Sequence, residues 1–136
     1  MHDPERESTA ATAQVTPSLD LIFDLLSNRH RRYTLYYLHD QPDGVATFEE
    51  VLDGVVTLQE RLAESESTAS ADAETTTETD RKQRQRQIQM ELQHTHLPKL
   101  EDAGILEHDH RSETVRYWSQ PSLEEWLEHA QHKEQL

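Results

Sequence analysis

The stretch 95–106 constrains this chain more than any other. It reads as the last turns of a helix, a stop, and the start of a strand. Leu97 and Leu100 are three apart and neighbours on a helical face. Gly104 can take the left-handed conformation that ends a helix at low steric cost. Ile105 and Leu106 then open an extended run. Two short strands are expected, about 105–110 and 114–119, joined by a turn at Arg111, Ser112 and Glu113. Val115 and Tyr117 fall on one face of the second strand, Arg116 and Trp118 on the other.

Upstream, Asp80 reads as an N-cap for a long helix reaching Ala103. Ile88, Leu92, His96 and Ala103 share one face, with Leu100 at its edge. Pro98 lies inside that span and predicts a kink, because it removes a hydrogen bond to the His94 carbonyl. Nearer the N-terminus, residues 1–15 are polar and expected to be a disordered tail. Thr16 reads as an N-cap, with Pro17 at the first helical position. Leu19, Ile22, Phe23 and Leu26 follow at helical spacing. Ser27 or Asn28 caps a second helix over about 29–39, which buries Leu35 and Leu38 with the tyrosines at 33, 36 and 37. Pro42, Asp43 and Gly44 make a turn. Thr47 and Glu50 have the spacing of a capping box. Phe48, Val51, Leu52, Val55 and Leu62 continue one apolar stripe, with Gly54 marking either a close helix approach or a break. Residues 65–79 are Ser, Thr, Ala, Glu and Asp without a base and are expected to be disordered. At the C-terminal end Pro121 and Ser122 open a last helix. Ser122 and Glu125 predict a second capping box, and Leu123, Trp126, Leu127 and Ala130 give an apolar face.

The order is helix, helix, helix, long helix, hairpin, helix, which makes a mainly α chain with a small β-hairpin. The segment around His94–Trp118 resembles the end of the recognition helix and the wing of a winged helix-turn-helix, as in arsenic-repressor-type regulators. It is still more similar to a family of winged-helix proteins from halophilic archaea. The resemblance implies a winged helix-turn-helix domain over residues 16–133, interrupted by the acidic insert 65–79. It also implies duplex DNA as the partner, read by helix 81–103 and wing 105–119. The insert departs from the usual pattern, since the two helices of such a motif are normally joined by about 3–4 residues.

Charge at first sight opposes that reading. The 136 residues carry 27 acidic and 13 basic side chains, a formal net charge of −14, whereas DNA-binding domains are ordinarily basic. Lysine occurs only at 82, 99 and 133. An acidic, lysine-poor surface suits a cytoplasm at molar salt, where the Debye length is about 3 Å. With 33% apolar residues the core must be small, and a dimer would support it. The chain has no cysteine, which excludes disulfides and thiolate metal sites. No secretory signal or membrane span is visible, so a cytoplasmic location is expected.

The basic run Arg81, Lys82, Arg84 and Arg86 alternates with glutamines, among them Gln87. Arginine reads guanine and glutamine reads adenine through paired hydrogen bonds. These side chains encircle the helix, so only some can face one groove. His94 and Thr95 hold positions that contact DNA in the resembled family, and Arg111 and Arg116 are the wing candidates. Arg29, Arg31 and Arg32 read as surface charges or partners for acidic neighbours. A homodimer interface is expected from Leu19, Ile22 and Phe23 with Leu123, Trp126 and Leu127, placing two reading helices about 34–36 Å apart.

Nine histidines raise the question of metal. His94 and His96 point to opposite sides of a helix. His108 and His110 share a strand face. Glu125, His129 and His132 lie on one helix face, reminiscent of the dimer-interface zinc site of some arsenic-repressor-type sensors. No full set of about four ligands is legible, and neither a metal nor another cofactor is expected. With no glycine-rich phosphate loop, no recognisable triad and no small-molecule substrate evident, no catalytic residue is expected. The competing reading is a winged helix that binds protein rather than DNA. The acidic insert next to Arg81 is placed to compete with DNA phosphate for the basic run; the alternative is an inert solubilising loop.

Overall fold

A computed structural model describes residues 18–67 and 78–136 of the chain. The elements are α1 (Leu19–Leu26), α2 (Arg29–His39), β1 (Val45–Thr47), α3 (Phe48–Ser67) and α4 (Glu78–Glu91). They continue through a π-helical turn (Leu92–His96), α5 (Leu97–Asp102), β2 (Leu106–Asp109), β3 (Thr114–Tyr117) and α6 (Pro121–Glu134). The protein is mainly helical, with one three-stranded antiparallel sheet in the order β1-β3-β2.

Local chemistry sets most of the boundaries. The Ser18 hydroxyl caps α1 by accepting from the Leu21 N–H, so the helix starts later than Thr16 and Pro17 imply; both residues lie outside the described ones. Asn28 caps α2, its Oδ1 accepting from His30 N–H at 2.9 Å and Arg31 N–H at 3.3 Å. The Thr47–Glu50 box closes reciprocally, at 3.0 and 3.1 Å. At Gly104, φ is +76° and the following Ile105 N–H reaches back to Leu100 O at 3.0 Å, the six-to-one closure of a Schellman stop.

The structure corrects several expectations. The Ser122–Glu125 box does not form: Pro121, whose fixed φ suits the first helical position, starts α6, and Gln120 precedes it without a side-chain cap. Asp80 is not a cap but sits in the first turn of a helix already running at Glu78. Disorder expected over 65–79 does not hold at either end, where Ser65–Ser67 prolong α3 and Glu78–Thr79 belong to α4; residues 68–77 lie outside the described ones, as does the expected tail 1–15. The kink expected at Pro98 becomes a π-helical turn one step earlier. There the Leu97 N–H bonds Leu92 O, and the wider turn accommodates a ring that would press on the carbonyl four residues back. The hairpin strands are shorter than expected, and His110 belongs to the turn. β1 has no signal in the sequence pattern; it pairs Ala46 with Val115 on β3.

The core draws on every helix. Leu25, Tyr33, Leu35, Leu38, Val51, Val55, Leu92, Leu97, Leu100, Val115, Leu123 and Leu127 are fully buried. Gly54 does not break α3. It lets Tyr37 of α2 pack directly on the backbone, and a Cβ there would lie 2.3 Å from Tyr37 Cδ1 and 2.7 Å from Cγ. The last helix is tied to α2 by one carboxylate. Glu134 accepts a two-pronged bond from Arg32, at 3.0 and 2.7 Å, and a third from the Tyr36 hydroxyl at 2.6 Å. Burial works to raise the Glu134 pKa, but these donors outweigh it and hold the carboxyl below its usual range.

Gly54→Ala is expected to lose about 1–2 kcal/mol by crowding, although alanine is the better helix former by about 1 kcal/mol. In a Tyr37→Ala background the same change should instead stabilise; urea unfolding of the four proteins checks this, and equal effects in both backgrounds would remove the packing argument. Glu134→Gln should cost about 1–3 kcal/mol at neutral pH. A lowered carboxyl pKa contributes stability above the ordinary glutamate range and loses it as pH falls through the folded value. The difference between wild type and Glu134→Gln should therefore shrink on acidification below about pH 4, and a constant difference would contradict the assignment.

Candidate nucleic-acid interface

α4 is unusual in burying almost nothing. Residues 78–84 are all exposed, and Ile88 is its one buried side chain. A helix that is polar all round neither packs on its own core nor is explained by it. Four of the six positions 81–86 are basic, and the structure divides them. Arg81 and Arg84 turn toward the neighbouring helices. Arg81 Nε is 4.0 Å from Glu60 Oε2 on α3, a half-exposed pair worth at most about 1 kcal/mol. Arg84 and Gln87 line a shallow groove with Arg29, His30, Gln59, Ile88 and Glu91. Lys82 and Arg86, four apart, share another exposed face.

Arg29 is thus part of the same groove as Arg84, a neighbour that sequence spacing does not reveal. Only the placement of α2 beside α4 brings the two together. The other two arginines of that cluster have structural work. Arg31 is buried, not a surface charge: its Nε donates to Leu25 O at 3.0 Å and its Nη2 to Asp24 O at 2.9 Å. Arg32 pairs with Glu134, in line with the expected acidic partner, and also donates to Leu26 O at 2.7 Å.

The π-helical turn presents His94 and Thr95 to solvent and turns His96 inward. Glu91 Oε1 lies 3.4 Å from His30 Nδ1 and 3.7 Å from His96 Nε2, while His30 Nε2 faces Gln59 Oε1 at 3.1 Å. Burial, then the Arg31 and His30 charges, push the His96 pKa down against the pull of Glu91. A neutral imidazole therefore anchors the turn that displays His94 and Thr95. In the hairpin, Arg111 and Arg116 are both exposed. The Arg116 guanidinium lies over the Trp118 ring, 5.3 Å from its centroid, within cation–π range.

The expected dimer residues separate into two groups. Ile22, Leu123 and Leu127 belong to the core of the single chain, at 1%, 0% and 0% exposure, because α1 and α6 cover each other's inner faces; they are corrected from interface to core. Leu19, Phe23 and Trp126 remain 54%, 48% and 36% exposed. Phe23 and Trp126 meet edge to face, with ring centroids 5.2 Å apart, beside a groove lined also by Leu26, Ala130 and Lys133.

The family model of a domain of unknown function (DUF7344) matches residues 23–116. The chain belongs to this family. The matched span takes in α4, the π-helical turn and the hairpin through Arg116, and leaves out α6 with Trp126. No curated protein and no solved structure matches the chain. Among the described residues no helix is long and apolar enough to cross a membrane.

Proposed function

We propose that the chain is a winged-helix regulator that binds duplex DNA as a homodimer in a salt-rich cytoplasm. The observation that carries this reading is α4: an exposed, polar helix bearing Arg81, Lys82, Arg84 and Arg86 on a chain of net charge −14. A helix leading through α5 into a hairpin, with β1 laid along β3, is compatible with a winged helix. In that arrangement α4 is the reading helix and residues 106–117 form the wing. Lys82, Arg86 and the glutamines reach base edges, His94 and Thr95 extend the same surface, and Arg111 and Arg116 meet the backbone. At high salt counterion release contributes little, so base-edge hydrogen bonds and DNA shape carry the affinity.

Leu19, Phe23 and Trp126 supply the dimer interface in this reading. Exposed aromatic side chains already packed on one another lose little entropy on association.

The DNA reading is tested by selecting bound fragments from fragmented haloarchaeal genomic DNA at about 2 M KCl, where nonspecific attraction is screened. A shared sequence should be enriched. Lys82→Ala with Arg86→Ala should weaken binding to that sequence by about 1–3 kcal/mol for each base the two side chains read. If no sequence is enriched, the basic helix serves a protein partner instead. For the dimer, sedimentation of the wild type should give twice the chain mass. Phe23→Ser with Trp126→Ser should give a folded monomer, and a monomeric wild type at tens of micromolar would end the proposal.

A further inference from the structure

The hairpin adds a third metal-ligating side chain, Glu113, to His108 of the strand and His110 of the turn. His108 lies on β2 opposite Val115, in one row with Ala46 of β1. That row faces the core, so the imidazole is buried at 6% exposure and stacks on Phe48, 9° from parallel. His110 and Glu113 come back over it from the turn. The His110 ring centroid is 4.0 Å from that of His108, and Glu113 Oε1 is 3.7 Å from His108 Nε2. Glu113 achieves this with φ of +56°, a left-handed conformation uncommon for a residue of its size. One ligand atom from each of the three lies within 4.8 Å of the others.

His108 Nε2 is buried and has no hydrogen-bond partner. A buried polar atom without a partner is costly, and this one faces an exposed carboxylate, with a second imidazole alongside. We propose that His108, His110 and Glu113 form a binding site for a divalent first-row cation such as Zn²⁺, at the tip of the hairpin. Two nitrogens and one carboxylate oxygen suit zinc, with water in a fourth position. Ligand atoms sharing one tetrahedral zinc ion at about 2.0–2.2 Å lie about 3.3–3.6 Å from one another. The 3.7 Å separation of His108 Nε2 from Glu113 Oε1 is only slightly longer than that, and the exposed His110 and Glu113 side chains can close the difference by small rotations. The surroundings favour a cation, since Glu101 adds negative charge near His108.

The second histidine cluster differs in the way that matters. His30, Glu91 and His96 are also close, and His96 Nε2 too is buried without a hydrogen-bond partner, but Arg31 Nη1 donates to His96 Nδ1 at 3.4 Å. The proton of that imidazole is then on Nε2, the atom that faces Glu91, and the buried guanidinium repels a cation. In the hairpin the charged groups acting on His108 are His110, Glu113 and Glu101, two of them carboxylates.

The site requires no DNA and stands apart from the proposed function. The test is calorimetric titration of Zn²⁺ alone into the chelator-treated full chain, with thermal unfolding alongside. One equivalent should bind and raise the melting temperature. His110→Ala and Glu113→Gln change exposed side chains and should leave the metal-free melting temperature in place. Each should weaken zinc by roughly tenfold or more, the scale on which even outer partners of a metal site count. His129→Ala with His132→Ala should leave binding intact. The proposal is overturned if zinc does not bind, if His110→Ala binds as tightly as wild type, or if binding disappears instead with His30→Ala or with the α6 pair.

Discussion

The structure depends on one buried guanidinium. Arg31 enters α2 three residues after its cap, and its side chain runs back to the end of α1. There it supplies two donors to the Asp24 and Leu25 carbonyls and turns a third toward His96. α1 has no glycine stop and no basic residue in its last turn; Ser27 donates to Asp24 O, but the Leu25 and Leu26 carbonyls need partners from elsewhere. Arg31 and Arg32 provide them from the next helix. A buried charge is tolerated only when its donors are satisfied, so the positions of α1, α2 and the π-helical turn are set together. Removing Arg31 would strip donors from the end of α1 and from the imidazole of the π turn at once.

His96 is where that constraint meets the unusual backbone. Pro98 cannot donate to His94 O and its ring crowds that carbonyl, so the helix widens into a π turn between Glu91 and Leu97. The widening divides one nominal helix into unlike halves. α5 buries Leu97 and Leu100 and ends in the Gly104 stop that starts β2. α4 buries Ile88 and projects the rest. The π turn rotates His96 inward onto Arg31, and the same rotation turns His94 and Thr95 outward. The display of one pair and the anchoring of the other are a single conformational event.

What is legible in the sequence is local. Asn28, the Thr47–Glu50 pair and Gly104 each act within a few residues of themselves, and all three do in the structure what their chemistry implies. The alternation of β3 is readable for the same reason. β1 is not, because three residues with no alternation to speak of become a strand only when β3 is beside them. The Arg32–Glu134 bond joins positions 102 apart in the chain, and Arg29 acquires its place beside Arg84 only through helix crossing. The apolar faces of α1 and α6 are legible as apolar. Periodicity, however, cannot say which apolar residues the chain covers by itself. Ile22, Leu123 and Leu127 go to the core, and Leu19, Phe23 and Trp126 are left outside.

The net charge of −14 would repel a polyanion at low salt, but it does not describe any one surface. Two arginines are committed to the core-side network, and Lys99 is paired with Asp24 at 2.9 Å. The run 81–86 lies on a helix that the core scarcely touches. In concentrated salt the long-range part of every one of these interactions is screened within about 3 Å, while hydrogen bonds at short range and the burial of apolar surface are not screened in this way. Under those conditions the acidic shell ceases to oppose a nucleic-acid partner. The arginines and glutamines of α4 keep their short-range donors and acceptors, and the exposed Phe23–Trp126 patch keeps its apolar area. In the proposed complex, orientation of two chains by apolar packing and discrimination by short-range hydrogen bonds would be the two interactions left, carried on separate elements, α1 with α6 for the first and α4 for the second.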